Sequence, residues 1–204
     1  MPEPTASPAV SSTVGLKNVV LAPLTTDTEA LLAYGALQLL AGAIDAQISP
    51  ENADPEITYY DDIEGDVLYP DPDVKLTMEM ADIPLALQEM ILGNTIDDNG
   101  VLLRAAGDSP PYFALGFKSE KADGTYRYVW LFKGRAKPAT EQYHTKEGKT
   151  LTRQTGKLEW SFLKRTNDGR YQAIADEGQN GFTAEKAATF LASVYTPVVT
   201  PSGT

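Results

Sequence analysis

The sequence predicts a mainly β fold with minor α, and three observations carry that reading. Strand-type alternation recurs along the chain, as where Val74, Leu76, Met78 and Met80 alternate with Lys75, Thr77 and Glu79. Only two segments carry a helical pattern, and both are short. Residues 111–134 read as a long β-hairpin with Asp123-Gly124 at the turn, where glycine takes the positive φ such a connection needs. In its second arm Tyr126, Tyr128, Trp130 and Phe132 share one face, and Arg127, Val129, Leu131 and Lys133 share the other. A strand pair apolar on both faces sits between two layers, or between its own core and a neighbouring subunit.

Residues 1–13 are rich in Pro, Ser and Thr and read as a flexible arm. A first strand is expected over 14–24. After the turn-prone TTDTEA, residues 37–48 read as a strand with a bulge near Gly42, while LLAYGALQLL has a helical composition weakened by Gly35. Residues 49–73 are acidic and hold four prolines, with β-prone islands at 57–60 and 67–69. Because proline cannot donate to a ladder, this stretch reads as a protruding loop or long hairpin, and Ile57, Tyr59, Tyr60, Leu68 and Tyr69 favour docking onto something. The strand 74–80 leads to a helix over 82–92, with Asp82 as N-cap, Pro84 in the first turn and Gly93 as the αL stop. Its apolar side, Ile83, Leu87, Met90 and Ile91, packs on a sheet. A short strand is expected over 100–104, an edge-type strand over 135–149 and another strand over 155–165. Asn167-Asp168-Gly169 is expected to make a hairpin turn into 171–175. A second helix follows Phe182, capped by Thr183, with Ala184, Ala187, Ala188 and Leu191 along a narrow apolar face. A last strand is expected over 194–199, before a loose tail.

The chain has 204 residues, 42% hydrophobic and 22% charged, which is ordinary for a globular protein with a sizeable core. No apolar run approaches the roughly 20 residues that cross a bilayer. The N-terminus carries an acid and prolines where an export signal would be basic and then greasy, so no membrane role is expected. There is no cysteine, which removes disulfides and thiolate metal sites. The net charge of −11 argues against a nucleic-acid binder, whose affinity rests on neutralising phosphates. From Asp45 to Asp82 there are twelve acids and one base, Lys75, whereas from Lys118 to Arg170 there are thirteen bases and six acids. These are solvated or internally paired surfaces, or two faces that meet head to tail between copies.

Catalytic chemistry is not expected. The only histidine, His144, lies in a polar stretch and reads as a surface residue, and without cysteine or a second histidine neither a triad nor a His-based zinc site can be built. The run Asp61, Asp62, Glu64, Asp66, Asp71 and Asp73 is the one candidate calcium site, but its spacing does not match an EF-hand, and a solvated or partner-facing loop is the preferred reading. No cofactor is expected. Two other classes stay open: a monomeric β-sandwich module binding carbohydrate or a cell surface through Tyr126, Tyr128 and Trp130, and a hydrolase using paired carboxylates.

VGLKNVVLAPLTTD, LAGAIDAQISP, ADIPLALQEMILG, PPYFALGFKSEKADGTYRYVWLFKGRA, TGKLEWSFLKR and GFTAEKAATFLASVY occur in this order. Together they resemble the major tail proteins of long, non-contractile-tailed bacteriophages, from about residue 14 to 195, most thinly over 49–73. The resemblance implies a single tail-tube domain over 14–195, with two antiparallel sheets packed as a sandwich or barrel and 82–92 as flanking helix. It implies hexameric rings stacked into a tail tube that conducts viral DNA without specific binding. It also implies tape measure, distal tail and tail terminator proteins as partners, assembly in the host cytoplasm and a final place in the virion. The loop 49–73 then reaches between neighbours, and the tail 196–204 adds contacts. An additional immunoglobulin-like domain, present in some members, is not expected. The expected inter-subunit contacts are Ile57, Tyr59, Tyr60, Asp61, Asp62, Glu64, Asp66, Leu68 and Tyr69 on the acidic side, with Arg127, Lys133, Arg135 and Lys137 on the basic side.

Overall fold

A computed structural model of the chain describes residues 11–51, 56–60, 63–68, 73–140 and 155–198. Strands dominate. In chain order they are β1 (Thr13–Asp27), β2 (Leu32–Tyr34), β3 (Gln38–Leu39), β4 (Ala43–Glu51), β5 (Glu56–Tyr60), β6 (Ile63–Leu68) and β7 (Asp73–Met80). Helix α1 (Leu85–Leu92) follows, then β8 (Thr95–Ile96), β9 (Leu102–Leu103), β10 (Phe113–Lys121), β11 (Tyr126–Thr140), β12 (Gly156–Phe162), β13 (Gln172–Asp176) and α2 (Ala184–Thr189). Every pairing is antiparallel.

The long strand β11 organises the molecule by changing partners along its length. Its first half lies between β10 and β13, with Val129 opposite Phe117 on one side and Ile174 on the other. From Gly134 onward it pairs with β12 instead, Gly134 opposite Phe162 and Lys137 opposite Glu159. One connected ladder therefore bends into two half-sheets. The first holds β2, β3, β1, β10, the start of β11 and β13; the second holds the end of β11, then β12, β7 and β4. A strand that passes from one layer to the next at a bend is how a sandwich turns a corner without exposing ladder groups. The layers face each other but do not close into a barrel.

The main core lies between them. Val19, Leu21, Phe113, Leu115, Phe117, Val129 and Leu131 come from the first half-sheet, and Val74, Leu76, Met78, Met80, Leu158, Trp160 and Phe162 from the second. Phe113 meets Trp160 edge-on across the layers, with ring centroids 6.1 Å apart. Helix α1 closes this core with Ile91 and Leu92. A second core covers the opposite face of the first half-sheet, where Tyr128, Trp130 and Phe132 pack under Ala187 and Phe190 of the C-terminal segment.

Several sequence expectations are corrected. Residues 31–40 form β2 and β3 with no helix, because Tyr34 pairs with Leu24 and Leu39 with Val20 of β1. Gly42, at φ 83°, makes the β3–β4 turn, and the irregularity expected near it falls between Ala43 and Asp45. Pro84, not Asp82, is the cap position of α1, and the Asp82 carboxylate accepts from the Ile83 amide instead. Gly93 ends the helix in the αL conformation as expected. Residues 135–140 continue β11, and their edge position is relative to the second half-sheet alone. After the turn at Gly169, β13 crosses to the first half-sheet and makes no hairpin with β12. Residues 194–198 form no strand. In α2 the expected Ala184 and Ala188 are exposed, and Phe190 is the anchor.

Candidate assembly surfaces

The aromatic face of β11 is an interior surface. Trp130 is fully buried, and its indole N–H donates to the Phe190 carbonyl at 2.9 Å. The Tyr128 ring lies 5.7 Å from both the Phe182 and Phe190 rings, centroid to centroid. Its hydroxyl donates to Glu177 Oε1 at 2.8 Å, and burial together with that carboxylate pushes its pKa up to about 12. Thr183 caps α2 by accepting from the Lys186 amide, which fixes the turn that sets Phe190 over the sheet. Tyr128 and Trp130 thus offer no platform to a sugar in this fold.

The expected basic contacts divide into two groups. Arg127 makes a two-pronged pair with Asp176, both N–H···O distances being 2.7 Å, and Lys121 joins the same carboxylate at 2.8 Å. The Arg127 guanidinium is the main cause holding the Asp176 carboxyl down at about 2. Lys133 donates to Asp27 at 2.6 Å, and the Thr166 and Asn167 amides donate to the same carboxylate at 2.9 and 3.0 Å. Burial opposes ionisation of Asp27, but those three donors outweigh it and hold the pKa below its ordinary value. Arg127 and Lys133 are therefore paired within the chain. Arg135 and Lys137, by contrast, are exposed on the outward side of β11, with Arg135 stacked 3.9 Å from the Tyr112 ring centre.

Arg165 was indistinguishable from these in sequence, yet it is 1% exposed. It forks onto Asp168, with Nε at 2.9 Å from Oδ1 and one terminal nitrogen on the other oxygen, and lies 3.7 Å over the Phe132 ring. It fastens the 165–170 turn to the sheet.

On the second half-sheet the two faces differ completely. Inward residues are the core; outward residues are Asp73, Lys75, Thr77 and Glu79 on β7, Lys157, Glu159 and Ser161 on β12, and Arg135 and Lys137 on β11. Among the described residues no layer covers this polar face. Among the described residues its two edges are open, and they differ in sign. The β11 edge carries Arg135 and Lys137, while the β4 edge carries exposed Asp45 and Glu51, the latter also held by Lys75 at 2.6 Å. Asp45 and Glu51 were not among the expected contacts. Their signal was available only as membership of the acid-rich run, because sequence does not reveal which strand ends at an edge.

Beyond Glu51 and Asp73, which face each other across β4 and β7, the chain continues into the β5–β6 hairpin. Glu56 lies opposite Leu68, Ile57 opposite Val67, Tyr59 opposite Glu64 and Tyr60 opposite Ile63, with an irregularity between Ile57 and Tyr59. The expected contacts Ile57, Tyr59, Tyr60, Glu64, Asp66 and Leu68 thus occupy this ribbon; Asp61, Asp62 and Tyr69 lie outside the described residues, as do Asp71 and His144. Among the described residues no group of three potential metal ligands occurs, and no helix is long and apolar enough to cross a membrane.

A groove of about 540 Å³ runs between β13 and the α2 segment, lined by Ile174, Phe182, Phe190, Tyr195 and Val198. No family model matches the chain, and no curated protein matches it either.

Proposed function

We propose that this chain is a structural virion protein, the subunit of a bacteriophage tail tube built from stacked hexameric rings that conduct DNA into the host cell. The ordered resemblance along the sequence supplies the family. The observation that carries the mechanism is the second half-sheet, with oppositely charged open edges and one uncovered polar face. A ring requires a heterologous contact, one surface meeting a different surface on the next copy. An edge bearing Arg135 and Lys137 fits an edge bearing Asp45 and Glu51, and pairing them satisfies ladder groups that open edges leave exposed.

Closure of such a ring turns the polar face of β4, β7, β12 and β11 along one continuous wall. A wall mixing acids with bases in a chain of net charge −11 holds phosphates weakly, as passage of DNA demands. On this reading the β5–β6 ribbon reaches a neighbour within the ring or in the next one. Tape measure, distal tail and tail terminator proteins are the partners this role requires.

Electron microscopy of concentrated purified protein tests the reading, with rings or tubes as the expected outcome. Replacing residues 52–72 by a short turn should leave a folded monomer, because the β4–β7 ladder is complete from Glu51 opposite Asp73 inward. Tubes of normal appearance from that variant would remove the ribbon's role; a wild-type protein that stays monomeric at every concentration and salt would remove the tube.

A further inference from the structure

The chain contains four Asx-Gly pairs, Asn99-Gly100, Asp123-Gly124, Asp168-Gly169 and Asn180-Gly181. Asx-Gly pairs are chemically weak, because glycine puts no side chain in the way of its own amide nitrogen as that nitrogen approaches the preceding side-chain carbon. Whether the attack takes place depends on the freedom of that amide. In three pairs it is engaged: the Gly100 N–H donates to the Asp97 carbonyl at 2.9 Å, the Gly124 N–H to Lys121 at 2.9 Å and the Gly169 N–H to Arg165 at 3.0 Å. The side chains before them are also held. The Asn99 side-chain Nδ2 donates to Asp97 Oδ2 at 3.4 Å, Asp123 accepts from Thr125, and Asp168 is gripped by Arg165.

The fourth pair differs. Asn180 and Gly181 are both exposed, and among the described residues the Gly181 N–H meets no acceptor and the Asn180 side chain no partner. The turn is pinned on either side, by Gln179 donating to Asp176 at 3.1 Å and Phe182 donating to Gln179 at 3.0 Å, so the free pair sits in an ordered bend.

We propose that Asn180 is a site of spontaneous deamidation, its pair with Gly181 being the one of the four Asx-Gly pairs whose glycine amide is left open. Hydroxide removes the Gly181 amide proton, and the nitrogen attacks Asn180 Cγ. A new N–C bond closes a five-membered succinimide as the Cγ–Nδ2 bond breaks, and Nδ2 leaves as ammonia with a proton from water. Water then opens either ring carbonyl, giving aspartate or isoaspartate; the net change is gain of one water and loss of one ammonia, with no redox partner. The isoaspartate product inserts a methylene into the main chain between β13 and α2, the connection that sets Phe190 over Trp130. This inference does not depend on the tail-tube reading.

Intact protein is incubated at mildly alkaline pH and sampled for peptide mapping by mass spectrometry and for isoaspartate by enzymatic methyl labelling. In the folded protein Asn180 should convert about tenfold faster than Asn99, the factor set by one ordinary turn hydrogen bond. In denaturant the two Asn-Gly pairs should convert at similar rates, which assigns the difference to the fold. Asn180→Gln should remove most methyl labelling, whereas Asn99→Gln should leave it. Equal or faster conversion at Asn99 in the folded protein, or an Asn180 that stays intact while the denatured chain reacts, overturns the proposal.

Discussion

Asp176 shows how one carboxylate can hold two elements. It receives Arg127 from β11 and Lys121 from β10, and these partners keep it ionised down to about pH 2. A carboxyl whose folded pKa is depressed contributes stability above its unfolded value near 3.9, and that contribution is lost as pH falls from about 4 towards 2. After discounting for solvent screening it is on the order of 1 kcal/mol. Asp176→Asn is expected to lower stability at neutral pH by that order and to flatten the acid limb between those values, as measured by urea unfolding across pH. Gly134 acts at the same scale by having no side chain. A Cβ built there would lie 2.3 Å from the Phe162 ring, at the point where β11 leaves one half-sheet for the other. Gly134→Ala should cost about 1–3 kcal/mol through overpacking, read as a lowered Tm with the oligomeric state unchanged.

Among the elements, α2 is small but does what the sequence left undecided. The hairpin's two apolar faces required two layers or a neighbouring subunit, and α2 with its following segment provides the second layer from the same chain. Six helical residues have little stability of their own, so the element persists through Phe190, Phe182 and the bond from Trp130. Phe190→Ala is expected to cost about 3–5 kcal/mol and to shift tryptophan emission to the red as Trp130 meets water. Unshifted emission with full stability would mean that something else covers the sheet. Because this face is already buried, the proposed assembly falls to the charged, open-edged half-sheet with its ribbon.

For the whole molecule, the proposed ring makes a reciprocal demand. Arg135→Glu with Lys137→Glu should block assembly while leaving Tm within about 1 °C, since both side chains are exposed and core-free. Mixing that variant with one carrying Asp45→Lys and Glu51→Lys should restore mixed contacts through the re-matched edges. Assembly of the unaltered protein should weaken as salt rises, because exposed charges beyond a Debye length of about 8 Å are screened at physiological ionic strength. Light scattering and sedimentation read all three. Failure of the charge-reversed pair to co-assemble, with each variant folded, would detach the edges from the interface.

By itself the sequence determined what depends on neighbours a few residues away. The alternation of β7 and β12, the Asp123-Gly124 turn, the Thr183 cap and the Gly93 stop are local, and each stands in the structure as its residues require. The separation of acid-rich from base-rich chain was legible too. Only the tertiary structure decided which bases are free, burying Arg165, pairing Arg127 and Lys133, and leaving Arg135 and Lys137 outside. It alone made β11 turn the corner, carried β13 to the opposite layer and closed α2 over Trp130. The reason is that a charge or an apolar face acquires its role from what packs against it, and Arg127 and Asp27 find such partners 49 and 139 residues away in the chain, in Asp176 and Thr166.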